Sequence, residues 1–168
     1  LIDGNSAIAH GGITFYCQAD NPEVIEVSGL TVTNNKATSH SAGIYVWNYE
    51  INLRNVTVLN NHCDGYGGGF GTHAGKISFY GGLFEGNTAI GDGAGMFIDG
   101  DCSVTLGGGI IIKNNISTGT RGGGLTVQKT ISMLTLNGAV QITGNKAHDT
   151  ENDLEFHGSK IIVTGSLV

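Results

Sequence analysis

The chain has 168 residues, enough for one compact domain, with 29 glycines, a single proline and only 13% charged residues. Eight Lys and Arg stand against 14 Asp and Glu, a net charge of −6 without a basic stripe, which argues against nucleic acid as a partner. The glycines lack the triplet period of collagen, and no apolar run approaches the roughly 18 residues of a membrane span, so neither a collagen-like fibre nor membrane insertion is expected.

Six asparagines, Asn5, Asn35, Asn61, Asn87, Asn115 and Asn145, recur at steps of 30, 26, 26, 28 and 30 residues. A short loop after each comes a pair of small residues: Gly11-Gly12, Ala42-Gly43, Gly68-Gly69, Ala94-Gly95 and Gly123-Gly124, with Asn152-Asp153 as a degenerate sixth. A period held this closely marks a solenoid in which each repeat is one coil.

In chain order, the sequence opens inside a strand at Leu1–Asn5 and continues with Ile13–Phe15. Complete coils follow, each carrying three apolar-polar alternating segments. The first segments are Val24–Val27, Ile51–Leu53, Lys76–Phe79, Ser103–Leu106, Leu134–Leu136 and Lys160–Val163. The second, ending near the asparagine, are Leu30–Thr33, Val56–Leu59, Leu83–Glu85, Ile110–Lys113 and Val140–Thr143. The third, after the small pair, are Ile44–Val46, Phe70–Thr72, Met96–Ile98, Leu125–Val127 and Leu154–Phe156. Alternation is the period of a strand with one buried face, and the glycine and β-branched content opposes helix.

Three strands in the same order, in under 30 residues and without reversal turns, fit one winding of a parallel β-helix. The expected fold is therefore all-β: a right-handed parallel β-helix with three strands per coil, about six coils and an internal Asn ladder, forming one domain across 1–168. Inward columns follow, one of Ile2, Val32, Val58, Phe84, Ile112 and Ile142, another of Ile13, Ile44, Phe70, Met96, Leu125 and Leu154. The six asparagines are structural in this reading. Each turns inward at a corner, bonds to backbone and to the next asparagine, and tolerates a left-handed corner conformation. The small pairs admit the chain where a side chain would clash.

The repeat, an apolar strand ending in Gly-Asn or Asn-Asn, a short loop, then Gly-Gly and an aliphatic residue, resembles that of chlamydial polymorphic outer membrane proteins. Their F-x-x-N and G-G-[AILV] elements are met most closely by Phe84-Glu-Gly-Asn87 and Gly11-Gly-Ile13. The resemblance implies an extracellular or cell-surface location and an adhesive or structural role.

Candidate chemistry is sparse. The outward positions of the first strand, Glu26, Asn52, Ser78, Thr105 and Thr135, hold one acid and no base, short of what a lyase groove needs. His40, Tyr66, Asp92, Arg121 and Thr150 form a loop column in which Asp92 and Arg121 read as an exposed ion pair. Cys17, Cys63 and Cys102 follow no ligand or disulfide pattern, no histidine pair sits at ligand spacing, and no cofactor is implied.

Two outward stripes are less polar than a solitary solenoid would choose: Leu59, Leu83 and Ile111 with Leu1 on the second strand, and Tyr16, Tyr45, Trp47 and Phe97 on the third. The first is expected to pack laterally on another copy, the second to meet glycan or protein. Asn55-Val-Thr57 and Asn115-Ile-Ser117 are glycosylation sequons, of which Asn55 is the candidate because Asn115 belongs to the ladder. Neither terminus reads as a cap, and Gly165–Val168 set before Leu1–Asn5 completes a second strand, so the chain reads as a segment or tile of a longer solenoid, stacked end to end. The function expected is a non-enzymatic structural or adhesive β-helix; the alternative is a carbohydrate-binding or polysaccharide-processing one.

Overall fold

The computed structural model describes residues 1–18, 23–129 and 132–165. They contain strands and turns but no helix, stacked as a solenoid of about six coils. The two expected columns are present in register: Ile2, Val32, Val58, Phe84, Ile112 and Ile142 pair in parallel from coil to coil. Ile13, Ile44, Phe70, Met96, Leu125 and Leu154 do the same. Coil spacing is the inter-strand distance of a sheet, about 4.8 Å, so inward side chains of successive coils touch along the axis. Phe70, Phe79 and Phe84 fill the centre edge to face, with ring centroids 5.1 and 5.5 Å apart. In the outer coils the same columns are covered from one side only, and Ile13, Phe15, Ile25 and Val27 are half-buried while Ile161 and Val163 are exposed.

The coil differs from the three-strand expectation in two ways. In the middle coils the third, first and second segments fuse into single strands, Ile44–Leu59 and Phe70–Glu85 of 16 residues each, and in the next coil the third and first fuse into Met96–Gly107 of 12, with Ile111–Lys113 separate. Residues with positive φ bend them without breaking the ladder: Asn48 and Asn55 in one coil, Gly75 and Gly82 in the next. A fourth segment, two residues long, follows each ladder asparagine at Ser6–Ala7, Lys36–Ala37, His62–Cys63, Thr88–Ala89, Ile116–Ser117 and Lys146–Ala147. These form a separate sheet with an inward column of Ala7, Ala37, Cys63, Ala89, Ser117 and Ala147. Two residues are too few for alternation to show. Their signal was the small residue two places after every asparagine.

The asparagine ladder is continuous. Asn35, Asn61, Asn87, Asn115 and Asn145 are fully buried. Each of Asn5 through Asn115 donates both its backbone N–H and its Nδ2 to the Oδ1 of the next rung, at 2.8–3.0 Å. From Asn35 on, Nδ2 also reaches a second-strand carbonyl of the preceding coil, as in Asn87 to Val58 O at 3.0 Å. The ladder asparagines themselves are not the left-handed residues. Positive φ falls one place earlier, on Gly4, Asn34, Asn60, Gly86, Asn114 and Gly144, the residue types that bear it best.

The last rung ends on a carboxylate. Asn145 donates its N–H and Nδ2 to Asp153 Oδ1, at 2.9 and 2.8 Å, within its own coil. Asp153 stands where earlier coils carry the second small residue; in those coils an added Cβ would run into the following rung, 3.0 Å from Nδ2 of Asn87 at Gly69 and of Asn115 at Gly95. At Asp153 that room holds a side chain. Thr150–Glu151 turns back antiparallel onto Lys146–Ala147. At this corner the Asn145 donors are answered from within their own coil. The segments Asn21–Pro22 and Ser166–Val168, part of the loop between the first two coils and of the expected tile junction, lie outside the described residues.

Candidate functional site

The third strand's outer face carries the most organised surface. Its first outward column is Thr14, Tyr45, Gly71, Phe97, Thr126 and Glu155. Tyr45 and Phe97 therefore lie two coils apart with a glycine between them. A Cβ at Gly71 would collide with Ser41 Oγ and touch the Tyr45 ring, so the floor is low there for a packing reason. Each ring is paired: Tyr45 stacks on His10, centroids 3.9 Å apart, and Phe97 stacks on Tyr66 at 4.8 Å. Burial pushes the Tyr45 phenol up, aided by Cys102 and Asp99, and pushes the His10 imidazole down. In the next column Tyr16 and Trp47 meet edge-on at 4.6 Å, both exposed, and His73 follows at a bulge between Trp47 and Ala74.

Between these rings runs a groove of about 570 Å³, within the roughly 300–1,000 Å³ usual for small-molecule sites. Its polar lining includes Asp92, Asp99, His73, Arg121, Gln128 and Lys129. Asp92 and Arg121 were expected to pair as ions. Instead Asp92 Oδ1 accepts the backbone N–H of Arg121 at 3.1 Å, and the guanidinium donates from Nη1 to Gln128 Oε1 at 3.2 Å. The reason is the loop: it sets Arg121's backbone over Asp92 and sends its side chain toward the third strand. Asp99 Oδ2 lies 3.3 Å from His73 Nδ1, while its Oδ1 is buried without a hydrogen bond.

The other predicted contact residues are dispersed. Leu83 and Ile111 are neighbours, but their column continues to Thr57 and Gln141, and Leu59 stands one column away between Thr33 and Glu85. All three are half-buried. The aliphatic stripe thus reduces to one pair, because Leu59 lies two residues further along the strand than its supposed partners. More exposed are Ile8 at 81%, Ile90 at 53% and Ile116 at 44%, on the fourth-segment side, where two-residue strands show no alternation. Asn55 is exposed at a left-handed corner, φ 50°, whereas Asn115 is inside. Cys63 and Cys102 are buried thiols, pushed by burial to about 11 and about 12. Among the described residues, no cluster of His, Cys, Asp and Glu could hold a metal ion. No protein-family profile, curated protein or solved structure matches this chain.

Proposed function

We propose that this chain is a non-enzymatic adhesive β-solenoid of an extracellular or cell-surface protein, a rigid scaffold whose third-strand groove recognises glycan. The observation that carries the reading is the groove itself: two stacked ring pairs beside a polar cleft, on the outer face of the third strand. Flat aromatic surface with nearby hydrogen-bonding groups suits the apolar face and hydroxyl rim of a sugar ring. The repeat's resemblance to chlamydial surface proteins supports the location. A glycan array probed with the purified chain tests it: binding lost on replacing Tyr66 and Phe97 with Ala supports the reading, and an array without signal removes it.

A polysaccharide-processing role is the second reading, favoured by one contact, His73 with Asp99 on the groove wall. Release of new reducing ends from a bound polysaccharide, abolished in His73→Gln, would establish it. Self-association belongs to the same proposal. The half-covered columns of the outer coils favour contact with a further coil or a second copy, but an in-register stack over Asn145 would meet Asp153. Association is therefore expected to use the first coil or to shift register at the ladder corner, with light scattering as the readout.

A further inference from the structure

We propose that the groove is built for an acidic oligosaccharide, with Arg121 and Lys129 holding the carboxylate of a uronic acid residue while its ring lies on the Tyr66–Phe97 pair. The inference rests on the glycan-recognition reading above and adds the charge of the ligand.

The molecule is acidic overall, net −6. The Lys and Arg ion pairs among the described residues join Arg54 to Glu26, Lys76 to Glu50 and Lys113 to Glu85, all away from the groove. Arg121 and Lys129, both lining it, have no carboxylate within ion-pair distance among the described residues. The groove's own acids bond to neither cation's side chain: Asp92 Oδ1 accepts the backbone N–H of Arg121, and Asp99 faces His73 with Oδ2 while its buried Oδ1 has no hydrogen-bond partner.

Arg121 is also held in place. One guanidinium nitrogen donates to Gln128 Oε1 at 3.2 Å, a neutral acceptor that fixes orientation without cancelling charge. The remaining N–H groups form a planar fork suited to a carboxylate, and Lys129, exposed, adds a mobile second charge. Both follow Phe97's coil along the axis: Arg121 sits next to Asp92 in the loop column, and Gln128, bonded to Ile98 O, and Lys129 directly follow the strand Leu125–Val127 that pairs with Met96–Ile98. The cations therefore flank the stacked rings on the side away from Tyr45. A neutral sugar would leave the two charges unanswered; a carboxylate answers both. The exposed isoleucines Ile8, Ile90 and Ile116 offer no comparable argument for any one occupant.

The test is calorimetric titration with oligogalacturonate and with the same oligomer after reduction of its carboxyl groups, with dextran sulfate as a polyanion control. The expected result is binding of the acid form at least about tenfold tighter than the reduced form, with Lys129→Gln and Arg121→Gln each weakening only the acid form by about tenfold. Lys129 is exposed, so its variant keeps the test valid if Arg121→Gln perturbs folding. Equal binding of both oligomers, lost in Tyr66→Ala, would overturn the acidic assignment and leave glycan recognition standing. No binding of either would overturn both. Binding of dextran sulfate as tight as oligogalacturonate would overturn the carboxylate assignment in favour of unspecific charge attraction.

Discussion

Asp153 closes the asparagine ladder by accepting two hydrogen bonds from Asn145, one from the backbone and one from the carboxamide. Every other rung is answered by an asparagine one coil on; here the acceptor folds back from the same coil, and an acid suffices because the terminal rung need only accept. Asp153→Ala leaves the backbone N–H of a buried residue unmatched, while Nδ2 keeps Ile112 O and Thr143 O, and is expected to destabilise by about 1–3 kcal/mol. Asp153→Asn keeps Oδ1 and should cost under about 1 kcal/mol. Urea unfolding with local hydrogen exchange at residues 140–156 measures both, and equal losses in the two variants would show that the side chain does not act as the cap.

The same substitution reversed at mid-ladder should behave in the opposite way. Asn87 both accepts from Asn61 and donates to Asn115 Oδ1 and Val58 O. In Asn87→Asp an ionised carboxylate would face two acceptors inside the core, so its folded pKa rises above the unfolded value of about 3.9. The unfolded state then releases its proton first. Stability of the variant is highest below about pH 4 and falls as pH rises through the folded pKa. Relative to wild type, the deficit at neutral pH should exceed about 3 kcal/mol and shrink on acidification. Thermal unfolding of both proteins between pH 4 and pH 7 checks the sign.

How much of this was legible beforehand divides along one line. Features that repeat at every coil could be read: the Asn column, the small pairs and the two apolar columns all reappear in the register. Features that depend on a single coil could not. Leu59 was assigned to the column of Leu83 because both are aliphatic, although strand phase separates them by two residues. The Arg121 side chain was assigned to Asp92 because the residues share a column, although a column fixes backbone neighbours and leaves a long side chain free to reach Gln128. Gly71 carries no side chain for a pattern to register. Its part in the groove appears only once Ser41 and Tyr45 are placed beside it.

The small pairs carry a steric prediction. A Cβ at Gly95 would sit 3.0 Å from both Asn115 Nδ2 and Ile112 Cγ2 and closer still to Gly124 O, groups held by the ladder and the core. Gly95→Ala should therefore destabilise by about 1–3 kcal/mol, as overpacking does, despite removing a flexible residue. Gly109, where an added Cβ meets nothing, is the contrast: its φ of 80° confines the penalty of Ala to backbone strain, about 1 kcal/mol. Chemical denaturation of the two variants should rank Gly95→Ala as the more damaging.

The buried thiols give the last prediction. Burial raises Cys63 to about 11 and Cys102 to about 12, from 9.0 for a solvated thiol. The thiolate is the reactive form, so at pH 8 both should resist a thiol reagent in the folded protein and react only as fast as the chain opens. Above about pH 9 the unfolded chain loses these protons while the folded one keeps them. Stability is therefore expected to be flat below that point on account of these groups and to fall between about pH 9 and pH 11, the unfolded and folded limits for Cys63. Cys63→Ala, which suits a column already holding Ala37 and Ala89, should reduce that alkaline loss without unfolding the coil. An unchanged pH profile in Cys63→Ala, or rapid labelling of the native protein at pH 8, would place this thiol outside the core.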